Sequence, residues 1–373
     1  MKNKKVLLGL SGGVDSAVAA LLLKKQGYEV VGAFMRCFSE KSSIKGECSY
    51  LEDKKDAQKI AAQLNIQFIE LNYEKEYQTQ VLKEMFNAYK KGITPNPDAQ
   101  CNVKIKFPFL WKEAKTHDCQ FIATGHYAIK YPQQKEIADN FKNKKDTRYY
   151  LKIPKDKSKD QTYFLYGLTQ KDLEHTLFPI GNYKKSEVRK IAKANNLHNW
   201  DKKGTKGLCF VGNINLKQFL KQKINNNPGN VLSPEGKIIG RHQGIQFYTI
   251  GERIKEEIEI NKEYKNKINS KLYIAEKNAR SNALTIAPKN HPILFRKKFQ
   301  IKKINYITET PKFPLKNIKV RIRHLGQLIP AQITKEKDKI ICTLKRQIQG
   351  IAEGQSAVIY TNSGIMLGGG EIG

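Results

Sequence analysis

Six residues, Ser11-Gly12-Gly13-Val14-Asp15-Ser16, separate two apolar runs near the start of the chain. The first run, Val6-Leu7-Leu8-Gly9-Leu10, has the length and character of a buried strand. The second, Ala17-Val18-Ala19-Ala20-Leu21-Leu22-Leu23-Lys24-Lys25, reads as a helix closed by Gly27. Glycines let backbone amides approach an anion closely, and a helix N-terminus adds partial positive charge there. A strand that turns into a helix through such a loop is a phosphate cradle. It is not the Walker pattern, because Asp15 and Ser16, and no lysine, follow the glycines.

The first third of the chain repeats the alternation. Residues 28–35, 67–71 and 121–124 read as strands, and 53–64 and 77–91 as helices, the latter ending at Gly92. Such alternation predicts a parallel sheet with helices on both faces, whose ligands lie beyond the strand carboxyl ends at a switch point. The loop 11–16, Met35 and Gly125 stand at such ends. Further along, 149–153 and 163–168 read as strands, 184–196 and 216–224 as helices, 132–147 as a polar surface loop and 204–212 as a glycine-spaced loop. From about 228 short alternating runs are split by Gly, Pro, Asn and Asp, which predicts an all-β region, barrel-like at its C-terminal end.

A chain of 373 residues calls for two or three domains. We expect an α/β domain over 1–212, a small central domain over 213–290 and a β-barrel over 291–373. The formal net charge of +32 points to a polyanionic partner. Only 10 of the 67 basic residues are arginine, however, and the Lys, Asn and Ile enrichment reads as compositional drift that leaves many lysines as solvated surface. No apolar run reaches the ~18 residues of a membrane span, and the run after the basic N-terminus is too short for a signal peptide. A cytoplasmic protein without membrane partners is expected, with its thiols reduced.

None of the cysteines 37, 48, 101, 119, 209 and 342 forms a C-x-x-C pair, which argues against a zinc ribbon or a thioredoxin-type centre. Two lie in distinctive settings. Cys101 lies in Thr94-Pro95-Asn96-Pro97-Asp98-Ala99-Gln100-Cys101-Asn102, read as a stiff exposed loop; Lys104 and Lys106 are near enough to favour its thiolate, and an ordinary loop thiol is an equally open reading. A helix after it is expected to start near Phe107 or to kink, because of Pro108. Cys209 lies between glycines in Gly207-Leu208-Cys209-Phe210-Val211-Gly212, where a reactive thiol and a small core residue are both reasonable readings.

SGGVDS resembles the PP-loop of ATP pyrophosphatases, which cleave ATP between the α and β phosphates. The whole set of segments resembles the bacterial-type tRNA-specific 2-thiouridylases: 11–16, Gly-Ala-Phe-Met at 32–35, the Cys101 segment, Ala-Thr-Gly-His-Tyr at 123–127, Lys-Asp-Gln-Thr-Tyr-Phe-Leu at 159–165, Leu-Phe-Pro-Ile-Gly at 177–181, the Cys209 segment, Gly-Gln-Ser-Ala-Val at 354–358 and Leu-Gly-Gly-Gly at 367–370. That resemblance implies an adenine nucleotide hydrolase-like PP-loop fold. It implies an ATP-dependent sulfurtransferase that replaces the 2-oxygen of the wobble uridine in the tRNA anticodon arm. Gly9, Leu10, Ser11, Gly12, Gly13, Val14, Asp15, Ser16, Met35 and Gly125 would bind ATP, with Asp15 helping to hold Mg2+. Cys209 would carry a persulfide, Cys101 would complete sulfur release through a transient Cys101–Cys209 disulfide, and Asp98 would act as acid or base. Asn96, Pro97, Asp98, Lys159, Asp160, Gln161, Arg323 and His324 would contact tRNA, and a sulfur-donor protein of a cysteine desulfurase or relay system would be a partner.

The sequence departs from the family in three places. Glu252-Arg253-Ile254-Lys255-Glu256-Glu257 replaces a glycine-rich Gln-Arg-Lys-Gly stretch, His324 replaces a tyrosine, which weakens any stacking there, and 37–50 lacks a tryptophan. Another PP-loop enzyme, such as a tRNA lysidine synthetase or an amidotransferase-type synthetase, would not need two loop cysteines. A non-catalytic RNA-binding protein would not need Asp15, Cys101 and Cys209.

Overall fold

Lys5–Gly9 (β1) runs through the centre of a five-stranded sheet. Its neighbours are Glu29–Arg36 (β2) on one side and Phe121–Thr124 on the other; Gln67–Asn72 and Thr176–Leu177 form the edges, and every pairing is parallel. These facts come from a computed structural model that describes residues 4–39, 50–132, 149–204, 207–212, 214–254, 258–268, 270–307 and 309–373. Val6, Leu7 and Leu8 are all fully buried, as a central parallel strand covered on both faces requires. Leu7 packs into the core on one face, with Met85 and Leu110; Val6 and Leu8 pack into the other, with Val18 and Ile60. The chain leaves β1 towards β2 on one side and returns beside it at 121–124 on the other, so the switch point lies at the carboxyl end of β1, where the glycine loop begins.

The predicted helix after the loop runs Val14–Lys25 (α1), and Gly27 beyond it takes a φ of +83°, a left-handed conformation that suits glycine at a helix end. The helix expected over 77–91 starts earlier, at Glu74, and passes through a π-turn at Gln78–Leu82 before continuing over Lys83–Lys90.

Two expectations fail in instructive ways. The stiff loop at 94–102 is largely helical: Pro97–Cys101 forms a helix that continues through a π-turn, Asn102–Lys106, into Phe107–Thr116. Asn96 caps it by accepting the Ala99 N–H, and Pro97 occupies the first turn, where its missing N–H costs nothing. The π-turn precedes Pro108, so a helix that a proline would interrupt carries on with its hydrogen bonding reset. Residues 163–168 form no strand. Thr162–Phe164 is a 3-10 turn, and the apolar side chains around it are buried between the first sheet's surroundings and the barrel.

The remaining chain builds two further sheets. Strands Gly229–Leu232, Ile238–His242, Glu259–Ile260, Leu272–Asn278 and Ala283–Pro288 form a central five-stranded sheet. Six strands, Phe295–Tyr306, Leu315–Arg321, Ile329–Glu336, Lys339–Gln349, Ser356–Thr361 and Ile365–Ile372, close into a barrel, because the last strand pairs with the first. A hairpin of Ile129–Pro132 and Tyr149–Lys152 adds to the barrel's last strand, so the sheet crosses from the α/β part into the barrel. The loop expected at 132–147 lies almost wholly outside the described residues, as do 205–206 of the cysteine loop and 255–257 of the departing segment. Among the described residues, no helix is long and apolar enough to cross a membrane.

Candidate active site

The glycine loop folds as a cradle. Ser16 Oγ donates to Gly13 O at 3.0 Å, accepts the Ser11 N–H at 3.2 Å and lies 3.2 Å from Ser11 Oγ. Gly13 begins α1 with no side-chain cap, which leaves the first amides of the helix directed into the loop. Gly12 has φ +76°, and a Cβ there would meet the Asp53 carbonyl at 2.2 Å. Only the main chain of Leu10 faces this region, since its side chain is fully buried in the core.

Gly125 closes the cradle from the 121–124 strand: a Cβ there would stand 2.8 Å from Ser16 N. Gly125→Ala would therefore push the loop outward. Overpacking of this kind costs about 1–3 kcal/mol. Calorimetry should find ATP binding weakened roughly tenfold or more; unchanged affinity would separate Gly125 from the nucleotide site. Met35 is buried in the core beneath the same strand ends.

The lysine missing from the loop arrives from elsewhere. Lys185, the first residue of the helix Lys185–Ala194, places Nζ 2.7 Å from Asp15 Oδ1, and the Tyr127 hydroxyl donates to the same oxygen at 2.8 Å. Burial and the adjacent Asp15 carboxylate push the Tyr127 hydroxyl's pKa well up, so it stays a donor. A phosphate at the cradle would meet uncapped amides, two serine hydroxyls and this ammonium, a donor set that fits ATP. Mg2+ fits less directly: to reach Asp15 it must displace Lys185, and among the described residues no group of three or more His, Cys, Asp or Glu converges as a metal site. Asn199, buried, donates to Gly12 O at 2.9 Å and supports the loop from behind. Neither Lys185 nor Asn199 carries a local sequence signal, since their partners lie 170 and 187 residues away.

The two cysteines meet. Cys101 Sγ is 3.7 Å from Cys209 Sγ, though the residues are 108 positions apart, and both thiols are free. Cys101 is fully buried inside its helix; the reading of an exposed loop thiol fails because helix formation turns it inward. Burial, reinforced by its hydrogen bond to Cys209, pushes the Cys101 thiol's pKa well up. The lysine expected to act on Cys101 faces Cys209 instead. The hydrogen bond from Cys101, followed by the Lys106 ammonium 3.7 Å away, lowers the Cys209 pKa against the opposing effect of burial. Lys104 turns to an ion pair with Glu84.

The Cys209 main chain is clamped: its N–H donates to Asp98 Oδ1 at 2.9 Å, and its carbonyl accepts the Tyr77 hydroxyl at 2.6 Å. Phe210 takes φ +65°, packs edge-on against Tyr77 at 5.8 Å and lies under Lys106 at 5.4 Å. Burial raises the Asp98 carboxyl's pKa despite the bond from Cys209. Phe107, beside Lys106, stacks on His126 at 5.9 Å, and His126 follows Gly125, so a run of packed side chains links the thiol site to the cradle. Tyr77 was missed in the sequence because nothing local distinguishes it from an ordinary core aromatic.

The residues expected to contact tRNA separate into two groups. Lys159, Arg323 and His324 are exposed. Asp160 is fully buried, its Oδ2 paired with Arg321 at 2.5 Å and its Oδ1 held by Thr162, so its side chain is withdrawn from any ligand. Gln161 Oε1 accepts the Tyr127 N–H at 2.8 Å. Asn96 uses both ends of its amide internally, donating to Ser356 Oγ at 2.9 Å while capping its helix, and Pro97 is half-buried beside it.

A parallel sheet with an anion cradle at its switch point, linked through packed side chains to a thiol pair, defines a nucleotide-using enzyme that handles sulfur. Residues 4–213 match the family described as tRNA methyl transferase HUP domain, 217–288 its PRC-barrel domain and 296–372 the aminomethyltransferase beta-barrel domain. The tRNA-specific 2-thiouridylase MnmA 2 of Aliarcobacter butzleri is 37% identical over 381 residues, covering 100% of this chain and 98% of that one. The MnmA 1 of Geobacillus kaustophilus is 38% identical, covering 97% and 94%, and the MnmA of Francisella tularensis 38%, covering 100% of both. The chain belongs to the family of tRNA-specific 2-thiouridylases and is an enzyme of the tRNA sulfurtransferase class.

Proposed function

We propose that the enzyme uses ATP to adenylate the C2 oxygen of the wobble uridine, U34, in the tRNA anticodon arm and then replaces that oxygen with sulfur. The uracil C2 oxygen is a poor leaving group; as the adenylate it departs as AMP, pyrophosphate having left in the first step. Sulfur arrives as a persulfide on Cys209. Its terminal sulfur bonds to C2 as the C2–O bond to AMP breaks. Cys101 then attacks Cys209 Sγ, the persulfide S–S bond breaks, and its electrons remain on the sulfur now attached to C2. The products are 2-thiouridine and a Cys101–Cys209 disulfide, which a cellular thiol reductant opens before the next turnover.

One observation supports this reading most strongly: two free thiols from segments 108 residues apart stand 3.7 Å from each other in a chain that also carries an anion cradle. Ser11, Ser16, the amides of Gly12, Gly13 and Val14 and the Lys185 ammonium would hold the phosphates, with Mg2+ entering alongside them. Asp98, whose carboxyl has its pKa raised by burial, would move a proton at the base. The base would be flipped out of its stack to reach the thiols. The anticodon arm would be read by shape and phosphate contact through Lys159, Arg323 and His324. The persulfide would come from a protein of a cysteine desulfurase or relay system in the cytoplasm, where free thiols persist.

The test is direct. Unmodified tRNA is incubated with the enzyme, ATP, Mg2+ and a persulfide donor, and its nucleosides are analysed by mass spectrometry. We expect 2-thiouridine that depends on ATP. Release of pyrophosphate without any thiolated nucleoside would point to another PP-loop chemistry.

A further inference from the structure

We propose that Lys106 is a catalytic residue that makes Cys209, and not Cys101, the sulfur acceptor by keeping the Cys209 sulfur anionic. The inference rests on the proposed function only in taking Cys209 as the carrier. The geometry is asymmetric. Lys106 Nζ lies 3.7 Å from Cys209 Sγ, and Cys101 donates its S–H to that same sulfur at 3.7 Å. Two donors therefore converge on one sulfur, and the second thiol must keep its proton to be one of them. Accessibility runs the same way: Cys209 is half-buried, whereas Cys101 is fully buried.

The other groups facing Cys209 do not supply the charge. Asp98 accepts the Cys209 N–H, and its negative charge opposes a thiolate. Tyr77 donates to the Cys209 carbonyl, and burial raises its hydroxyl pKa well above the ordinary value. Cys37 shares the buried cluster, and burial likewise pushes its thiol pKa well up. Burial of Lys106 itself favours the neutral amine, but the surrounding Cys209, Cys101 and Asp98 outweigh it and raise its pKa. Lys106 is thus the only cation within hydrogen-bond reach of Cys209 among the described residues.

The step it serves balances simply. The Cys209 thiolate attacks the terminal sulfur of a donor protein's persulfide. The donor's S–S bond breaks, the donor leaves as a thiolate, and a new S–S bond forms at Cys209 Sγ. The same ammonium then stands beside the persulfide anion before that sulfur attacks the adenylated base.

The experiment reads the alkylation of each cysteine by iodoacetamide from about pH 5 to about pH 10, a span that brackets the ordinary thiol pKa of about 8.5, using peptide mass spectrometry on the full chain. In the wild type, Cys209 should label with a midpoint below that of an ordinary thiol, and Cys101 should remain protected. Lys106→Met should raise the Cys209 midpoint by about one unit, which slows its labelling near neutrality about tenfold. Lys106→Arg should keep the wild-type midpoint. An unchanged midpoint in Lys106→Met overturns the proposal. Should Cys101 lose its protection in Lys106→Met, that variant has unfolded. The arginine variant then decides: a wild-type midpoint with Cys101 protected supports the assignment, and a raised midpoint overturns it. The labelling needs neither ATP nor tRNA, so a failure of the thiolation reading would be seen separately.

Discussion

Cys209→Ala should abolish 2-thiouridine formation, by about 1,000-fold or more, while pyrophosphate release from ATP in the presence of tRNA continues. The two activities divide because their residues do. The cradle is built from 11–16, Gly125 and Lys185, none of which touches Cys209. Removing one half-buried sulfur leaves Asp98 and Tyr77 free to hold the main chain at 209, since both contacts are to the backbone. Cys101→Ser should behave differently. Sulfur would reach C2, but nothing would break the S–S bond behind it, so tRNA should accumulate on the protein in a linkage that a thiol reductant releases. Nucleoside mass spectrometry and a non-reducing gel of the tRNA separate the variants. Thiolation that survives in Cys209→Ala would end the persulfide assignment, and free thiolated tRNA from Cys101→Ser under non-reducing conditions would end the release step.

The cradle was legible in the sequence because all its determinants are local: a short apolar strand, two glycines and a helix without gaps in its pattern. Its completion was not. Lys185 and Asn199 reach the loop across more than 160 residues, and no periodicity encodes such a meeting. The thiol pair was legible only through resemblance; the residues alone left Cys209 between a reactive thiol and a core one. The helix at Pro97–Cys101 does have a local signal: an asparagine followed by a proline is a cap followed by a first helical residue. Two prolines in nine residues signal a stiff loop equally well, and the two alternatives differ in where they put Cys101, because a loop thiol is exposed and a helix-interior thiol is not. At 163–168 the apolar residues looked like a strand for another reason. Tyr163, Leu165, Tyr166 and Leu168 are buried against the barrel, and a segment buried between two bodies can be apolar without being pleated.

That same junction should respond most strongly in stability. Asp160→Asn should destabilise the protein by about 3–5 kcal/mol, because it leaves the Arg321 guanidinium buried with no opposing charge. Asp160 is 0% exposed and Arg321 6%, and their contact joins the turn before Thr162 to the barrel strand Leu315–Arg321. The carboxylate does more than pair. Its second oxygen accepts the N–H and hydroxyl of Thr162, whose hydroxyl lies 3.0 Å from Tyr360 in the barrel. The carbonyl of Asp160 lies 3.0 Å from His324 Nε2. Asparagine keeps a similar shape, so the loss isolates the charge. Asp160→Asn with Arg321→Met should recover much of it, since no buried charge is left unopposed and the asparagine oxygen can still accept from Thr162. Urea unfolding measures both. Arg321 stands two residues before Arg323, so loosening this pair should also raise the KM for tRNA more than it lowers kcat. If the single charge removal leaves the unfolding midpoint where it was, the buried pair does not hold the barrel to the α/β part, and contacts such as that of Asn96 with the barrel residue Ser356 hold the junction instead.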